Sequence, residues 1–451
     1  MKRLFFILSM LSLFSCNEKI NPNDSVYSRG ADIKENDNVV TIEEALSNLN
    51  CIMSAISNDT RSFIGDKTVS YIDTLKLANL NNCMSATKSG ESFSNLLYLA
   101  NFNEGGYALL GADKRIDPII AIVKEGTIAA TDFNVSDTTS HTFSINQLYC
   151  EEDGDYYIGN SGNFSPLSFV KSYLSKIVSN PITASEDEEF LYYCIVDDPT
   201  AIMPMMITRW DQKRPFNHLC TYPGDYRPAG CGTIAGAQVL AYTKTASLST
   251  HFEIDDMTWN ELEIPYYYDY KTKNDRDING GDYYSLNDYV NNYTDYMLRE
   301  EYISKVVRTM AVNIGAKFNF FGSGQTFMTP QQLCNYMKSI GYSQANKKIG
   351  YSETPIINML EAGKPVIISA LENFSEGHFW VIDGMQYVYK KNVNTGEIQN
   401  LLMVNCNWGW RGECDGFYLS GIFDTRSGSL TKSDKYPGGF YADFWFRIIT
   451  Y

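Results

Sequence analysis

A chain of 451 residues with 53 acidic against 37 basic side chains carries a formal net charge of −16, and so excess a negative charge excludes nucleic acid as a partner. Hydrophobic residues make up 44% of the chain and aromatic ones 14%, ample material for two or three cores. None of the 10 cysteines forms a CxxC pair, which argues against a structural zinc site, and no motif calls for a metal or cofactor.

The N-terminus reads as an export signal. Lys2 and Arg3 precede an apolar run over 4–14, then Ser15 and Cys16, and the run is too short for a permanent membrane span. Leu13, Phe14, Ser15 and Cys16 also resemble a bacterial lipobox, whose cysteine is lipidated after cleavage. The expected location is therefore a membrane lipoprotein facing the periplasm or cell surface, with a mature form that can be shed. Residues 17–38 are polar and read as a tether.

A helix is predicted over 41–57, with Thr41 as N-cap and Glu44 completing a capping box. Short strands follow over 96–102, 107–111 and 119–123, the first two joined by a turn at 103–106. Asp113, Lys114 and Arg115 read as a solvated charged turn. Ser165 and Pro166 open another helix, with Leu167, Val170, Leu174 and Ile177 on one face. The acidic stretch 180–189 reads as a linker, so the block 17–200 is expected to form its own β-rich α+β domain, ahead of a second domain over 201–451.

That second domain centres on Cys231, which leaves a Pro/Gly-rich loop between Gly230 and Gly232 and enters a run of small apolar residues. The pattern predicts a buried helix with the thiol at its N-terminus, where free N–H groups and the helix dipole favour thiolate. The same features would serve a buried structural cysteine. Residues 258–296, rich in Tyr, Asp and Asn, read as a surface excursion. Helices are predicted over 301–318, 329–339 and 355–362, a flexible loop over 322–325, and strands over 365–370, 378–389, 401–406 and 444–450. His378, in EGHFWVIDG, starts one of these strands, and Asn407 leads Trp408 out of another into a glycine-rich turn. Setting aside Cys16 and Cys231 leaves eight cysteines whose bridging, if any, the sequence does not fix.

WDQ with PFN, GC followed by a small-residue helix ending in AQ, HFWVIDG, and VNCNWGW before DGFY occur in that order, and together they resemble the streptopain family of papain-like cysteine peptidases, which bacteria secrete as zymogens. GGYALLGADKRIDPIIAIVKEGTI shows a weaker likeness to the family propeptide. The resemblance implies an α+β, two-lobed papain-like peptidase domain preceded by an inhibitory propeptide, with polypeptide substrates and the chain's own propeptide as partners. It implies Cys231 as nucleophile, His378 as its base and Asn407 as the group that orients the imidazole. Gln212 and the Cys231 N–H would then bind the oxyanion, while Trp408 shields the His378–Asn407 contact. Two departures stand out: Gly232 and Thr233 replace a more usual Val-Ala, and Arg411 stands where glycine is common. A silent lipoprotein that uses the cleft for binding, and an acyltransferase or amidase with a cysteine nucleophile, are the alternatives.

Overall fold

In the computed structural model, the structure describes residues 38–57, 67–80, 93–134, 149–150, 155–159, 164–179, 190–193, 200–222, 225–264, 293–373, 376–392, 394–423 and 445–451. The predicted export signal with Cys16, the predicted tether up to 37 and the predicted linker over 180–189 lie outside them. These residues belong to one compact unit that starts at Asn38. No described helix is long and apolar enough to cross a membrane.

In chain order the elements are α1 (Ile42–Ser57), β1 (Val69–Lys76), β2 (Asn95–Phe102), β3 (Tyr107–Gly111), β4 (Ile119–Val123), β5 (Tyr149–Cys150), β6 (Asp155–Tyr156), α2 (Pro166–Ser179) and β7 (Phe190–Tyr193). There follow β8 (Thr221–Tyr222), β9 (Asp225–Tyr226), α3 (Cys231–Thr243), α4 (Leu248–Phe252), α5 (Trp259–Leu262), α6 (Tyr293–Ile314), β10 (Lys317–Phe318), β11 (Thr326–Phe327), α7 (Pro330–Ser339), β12 (Asn346–Ile349) and α8 (Glu353–Glu361). The chain closes with β13 (Val366–Asn373), β14 (Glu376–Asn392), β15 (Ile398–Asn407), β16 (Gly416–Leu419) and β17 (Trp445–Thr450).

The fold is α+β. One antiparallel sheet runs β1-β2-β3-β4-β16-β15-β14-β13-β17-β12, with β7 paired to the far end of β14. Its two halves come from opposite ends of the chain and meet where β4 pairs with β16, Ile122 opposite Phe417. Gly416 permits that junction, because a Cβ there would sit 2.2 Å from the Ile122 carbonyl oxygen. Side chains alternate across a strand. On β14, Phe379 and Val381 face the helical layer of α3, α6 and α7, while Trp380 and Ile382 face a second core closed by α2 and α8. A smaller core lies under α1.

Several elements depart from expectation. Asp113 and Arg115 do not form a solvated turn: Asp113 is 1% exposed, Arg115 binds both its carboxylate oxygens, and the guanidinium lies 3.6 Å from the Phe93 ring centroid. Composition alone marks such a triplet as solvated, but a paired charge can be buried. The predicted helix 301–318 starts earlier and ends at Ile314, stopped by Gly315 at φ 82°. The excursion begins inside the core: Thr258 and Glu261 box the start of α5, and Trp259 and Leu262 are buried, while 265–292 lie outside the described residues. β1 and β16 were not predicted. Cys220, Cys334, Cys406 and Cys414 are unbridged thiols.

Candidate active site at the start of the buried helix

Cys231 is the first residue of α3, with Gly230 as N-cap at φ 95°. A side chain at Gly230 would be strained by that φ, so the sharp entry into the helix depends on glycine. From Cys231 to Ala241 every residue is buried, which is why the helix lacks a polar face. Cys231 itself is 3% exposed. Gly232 makes room for Met328: a Cβ there would lie 2.5 Å from the Met328 sulfur. The departure noted at this position is thus matched to its neighbour.

A strap over 202–212 sets the next residues. Ile202 bridges to Met385, Met205 N–H donates to the Asp383 carbonyl, and Met206 N–H donates to the Asp383 carboxylate. Burial raises the Asp383 pKa to about 6. Farther along, Trp210 N–H donates to Gln238 Oε1 on α3, and the Ala229 N–H donates to the Gln212 carbonyl. Gln212 is therefore fixed through its backbone to the residue two places before Cys231. Asp211 beside it binds Arg411 Nε at 2.7 Å. Arg411 sits at φ 59°, in the left-handed region, which explains why glycine suits this position; its ion pair and its bond to the Arg214 carbonyl hold it there.

Asn407 ends β15. Its Nδ2 donates to the Thr208 carbonyl at 2.6 Å, and its Oδ1 accepts from Gln238 Nε2 and from the Gly409 N–H. Gln238, to which the sequence assigned no role, thus links the strap, the Cys231 helix and the Asn407 amide. Its sequence signals are its place as the last residue of the GC…AQ motif and its polarity in a mostly apolar helix. Trp408 is fully buried and its N–H donates to the Asp415 carboxylate, whose pKa burial pushes up to about 8.

His378 stands apart from this set. It shares the β14 face of Trp380, opposite the one that Phe379 turns to the Cys231 helix. Its Nε2–H donates to the Trp408 carbonyl at 2.7 Å, and its Nδ1 is buried with no hydrogen-bond partner among the described residues. Phe164, Trp408 and Trp410 pack around the ring at centroid distances of 5.1, 6.3 and 4.6 Å. Of the residues chosen from sequence, Cys231, Gln212, Asn407 and Trp408 are gathered around α3 and the end of β15. His378 reaches Trp408 alone. Neither Cys231 nor Asn407 is hydrogen-bonded to it, so the orienting contact from Asn407 and its shielding by Trp408 are not formed in this conformation.

Burial lowers the His378 pKa to about 4, partly opposed by the Trp408 carbonyl, and the aromatic rings around it carry no charge. The neutral imidazole favours the arrangement described, in which His378 is buried, over one in which it is exposed. That preference is complete above the ordinary value of 6.5 and is lost as pH falls through 4. Lowering the pH from 7.5 to 5 should raise the population with an exposed His378 by roughly thirtyfold. Proton NMR of the Cys231→Ala chain, with only four histidines to assign, should give a His378 midpoint near the lowered value. A midpoint near 6.5 would overturn this.

Among the described residues no group of His, Cys, Asp and Glu could hold a metal ion. The model of the Peptidase C10 family matches residues 210–418, which span Gln212, Cys231, His378, Asn407 and Trp408. No curated protein matches the chain in a sequence comparison. A solved structure of a prointerpain A fragment from Prevotella intermedia, a cysteine-to-alanine mutant, aligns with a TM-score of 0.44 and 14% identity, over 84% of this chain and 98% of that one.

Proposed function

We propose, from the premise that residues 210–418 belong to the peptidase C10 family, that this cysteine peptidase is exported as the zymogen of an endopeptidase and becomes active when its N-terminal segment is removed. One observation carries the latency: Phe164, from that segment, packs against His378 at a centroid distance of 5.1 Å and helps keep the ring on the sheet face away from Cys231.

Chemistry then follows from release. Once Phe164 leaves, His378 turns toward Cys231, and its Nδ1, which carries a lone pair while Nε2 holds the proton, takes the thiol proton. The Asn407 amide oxygen replaces the Trp408 carbonyl as acceptor for Nε2–H. The thiolate attacks the peptide carbonyl, and the oxyanion is received by the Gln212 amide and the Cys231 N–H. His378 gives its proton to the leaving amine, which departs as the acyl-thioester forms. Water, deprotonated by the same imidazole, hydrolyses the thioester and regenerates the thiol. Trp408, buried beside Asn407, keeps water from the new contact.

The precursor is held to the membrane by lipid on Cys16, since several acyl chains anchor firmly where one does not. The propeptide spans 17–200 and the peptidase 201–451, with the cut falling between about residues 180 and 205, so activation and shedding are one event. The test combines labelling by a thiol-directed epoxide, casein digestion, and blotting of cell fractions for the C-terminal half. Wild-type cells should release a labelled, caseinolytic fragment, Cys231→Ala should leave a full-length membrane-bound chain, and Cys16→Ser should not be anchored. Absence of casein cleavage by a released, labelled fragment would overturn the endopeptidase reading.

A further inference from the structure

Asp155 is 1% exposed and sits between two cations of the peptidase sheet, with Lys347 Nζ at 2.8 Å from one carboxylate oxygen and Arg447 Nε at 3.2 Å from the other. The Tyr156 N–H also donates to it. Arg447 is 5% exposed and the Lys347 side chain 13%. Both lie on the sheet face of the Cys231 helix. Arg447 alternates with Ile449, which packs in the α3 core, and Lys347 is the register partner of Ile449. Across the sheet Arg447 pairs with Ser369 and Ser369 with Phe379. Two strand spacings, roughly 10 Å, therefore separate Arg447 from the residue that packs against Gly232.

The segment from Asp155 to Gly159 covers that distance. Ile158 makes two main-chain bonds with Met328, at 2.7 and 3.1 Å, and Met328 touches Gly232 next to the thiol. Three residues of extended chain span roughly 10 Å. A segment held by backbone bonds in this way occupies the path of an extended polypeptide, and the backbone bonds carry no sequence information. The side-chain contact that does is the carboxylate of Asp155 on Lys347 and Arg447.

We propose that Lys347 and Arg447 form a carboxylate subsite, filled by Asp155 in the latent chain and, after the segment leaves, by an acidic side chain of a bound polypeptide three residues from the one that pairs with Met328. The second half rests on the peptidase reading; the first does not. A planar guanidinium beside an ammonium, both largely buried, is built for a carboxylate and disfavours the isosteric amide.

Two measurements test it. In the full-length chain, Asp155→Ala vacates the subsite, and formate should raise its melting temperature in a saturable way that chloride at equal ionic strength does not. Adding Lys347→Met, at the more exposed partner, should abolish the formate effect. With the processed enzyme, paired peptides that differ only as Asp or Asn at that position should differ in kcat/KM by roughly tenfold. The ratio should fall toward one in Lys347→Met and be partly kept in Arg447→Lys. No saturable response to formate overturns the subsite whatever the peptidase assays give, and equal cleavage of the two peptides overturns its role in selectivity. If formate saturates while neither peptide is cut, the subsite stands and the peptidase reading fails.

Discussion

Phe164→Ala is expected to release the latent chain. The ring is 6% exposed and lies within 5.1 to 6.2 Å, centroid to centroid, of His378, Phe169, Trp408, Trp380 and Trp410. Truncating a buried phenylalanine costs roughly 3 to 5 kcal/mol. On the proposed activation, Phe164 lies in the segment that is removed, just ahead of α2, so the cost should fall on closure of that segment. The open population should rise by at least about a hundredfold. The full-length precursor should be correspondingly shorter-lived, and in the Cys231→Ala background the His378 midpoint should move from about 4 toward 6.5. Phe164→Leu, which keeps most of the apolar volume, should lie between the two. A Phe164→Ala precursor with wild-type lifetime and an unmoved midpoint would show that latency resides elsewhere.

What the sequence could and could not reveal follows from the range of each signal. Thr41, Pro166 and Thr329 mark helix starts by local capping chemistry, and the helices begin beside them. β2 to β4 carry their own turn signals and are joined in sequence. Cys231 and Asn407 were legible because each sits at a change from loop to element or from element to loop. The joining of β4 to β16 was not, since a pairing between residues near 122 and 417 leaves no local period to read. Asp113 and Arg115 were misread because a charge is taken as solvated unless its partner is known, and Asp155 drew no reading because its partners lie near 347 and 447. The face chosen by His378 is the sharpest case. Period two shows that 378 and 380 point the same way, but which layer receives them depends on Phe164 and α2, far earlier in the chain.

Gln212→Ala is expected to lower kcat of the processed enzyme by roughly 10² to 10³, the effect of losing one oxyanion donor. The position of Gln212 supports the role. Its carbonyl accepts the Ala229 N–H, and its neighbour Asp211 is clamped by Arg411 and by the Lys213 N–H. These are contacts of the backbone or of adjacent residues, and alanine leaves them in place, so the site should keep its shape while it loses the amide. Attack of Cys231 on an epoxide develops no carbonyl oxyanion, and the labelling rate should stay near wild type. That contrast separates a lost donor from a disturbed thiol: turnover and labelling falling together would mean that Gln212 supports the helix start, and turnover within about twofold of wild type would remove it from the oxyanion site altogether.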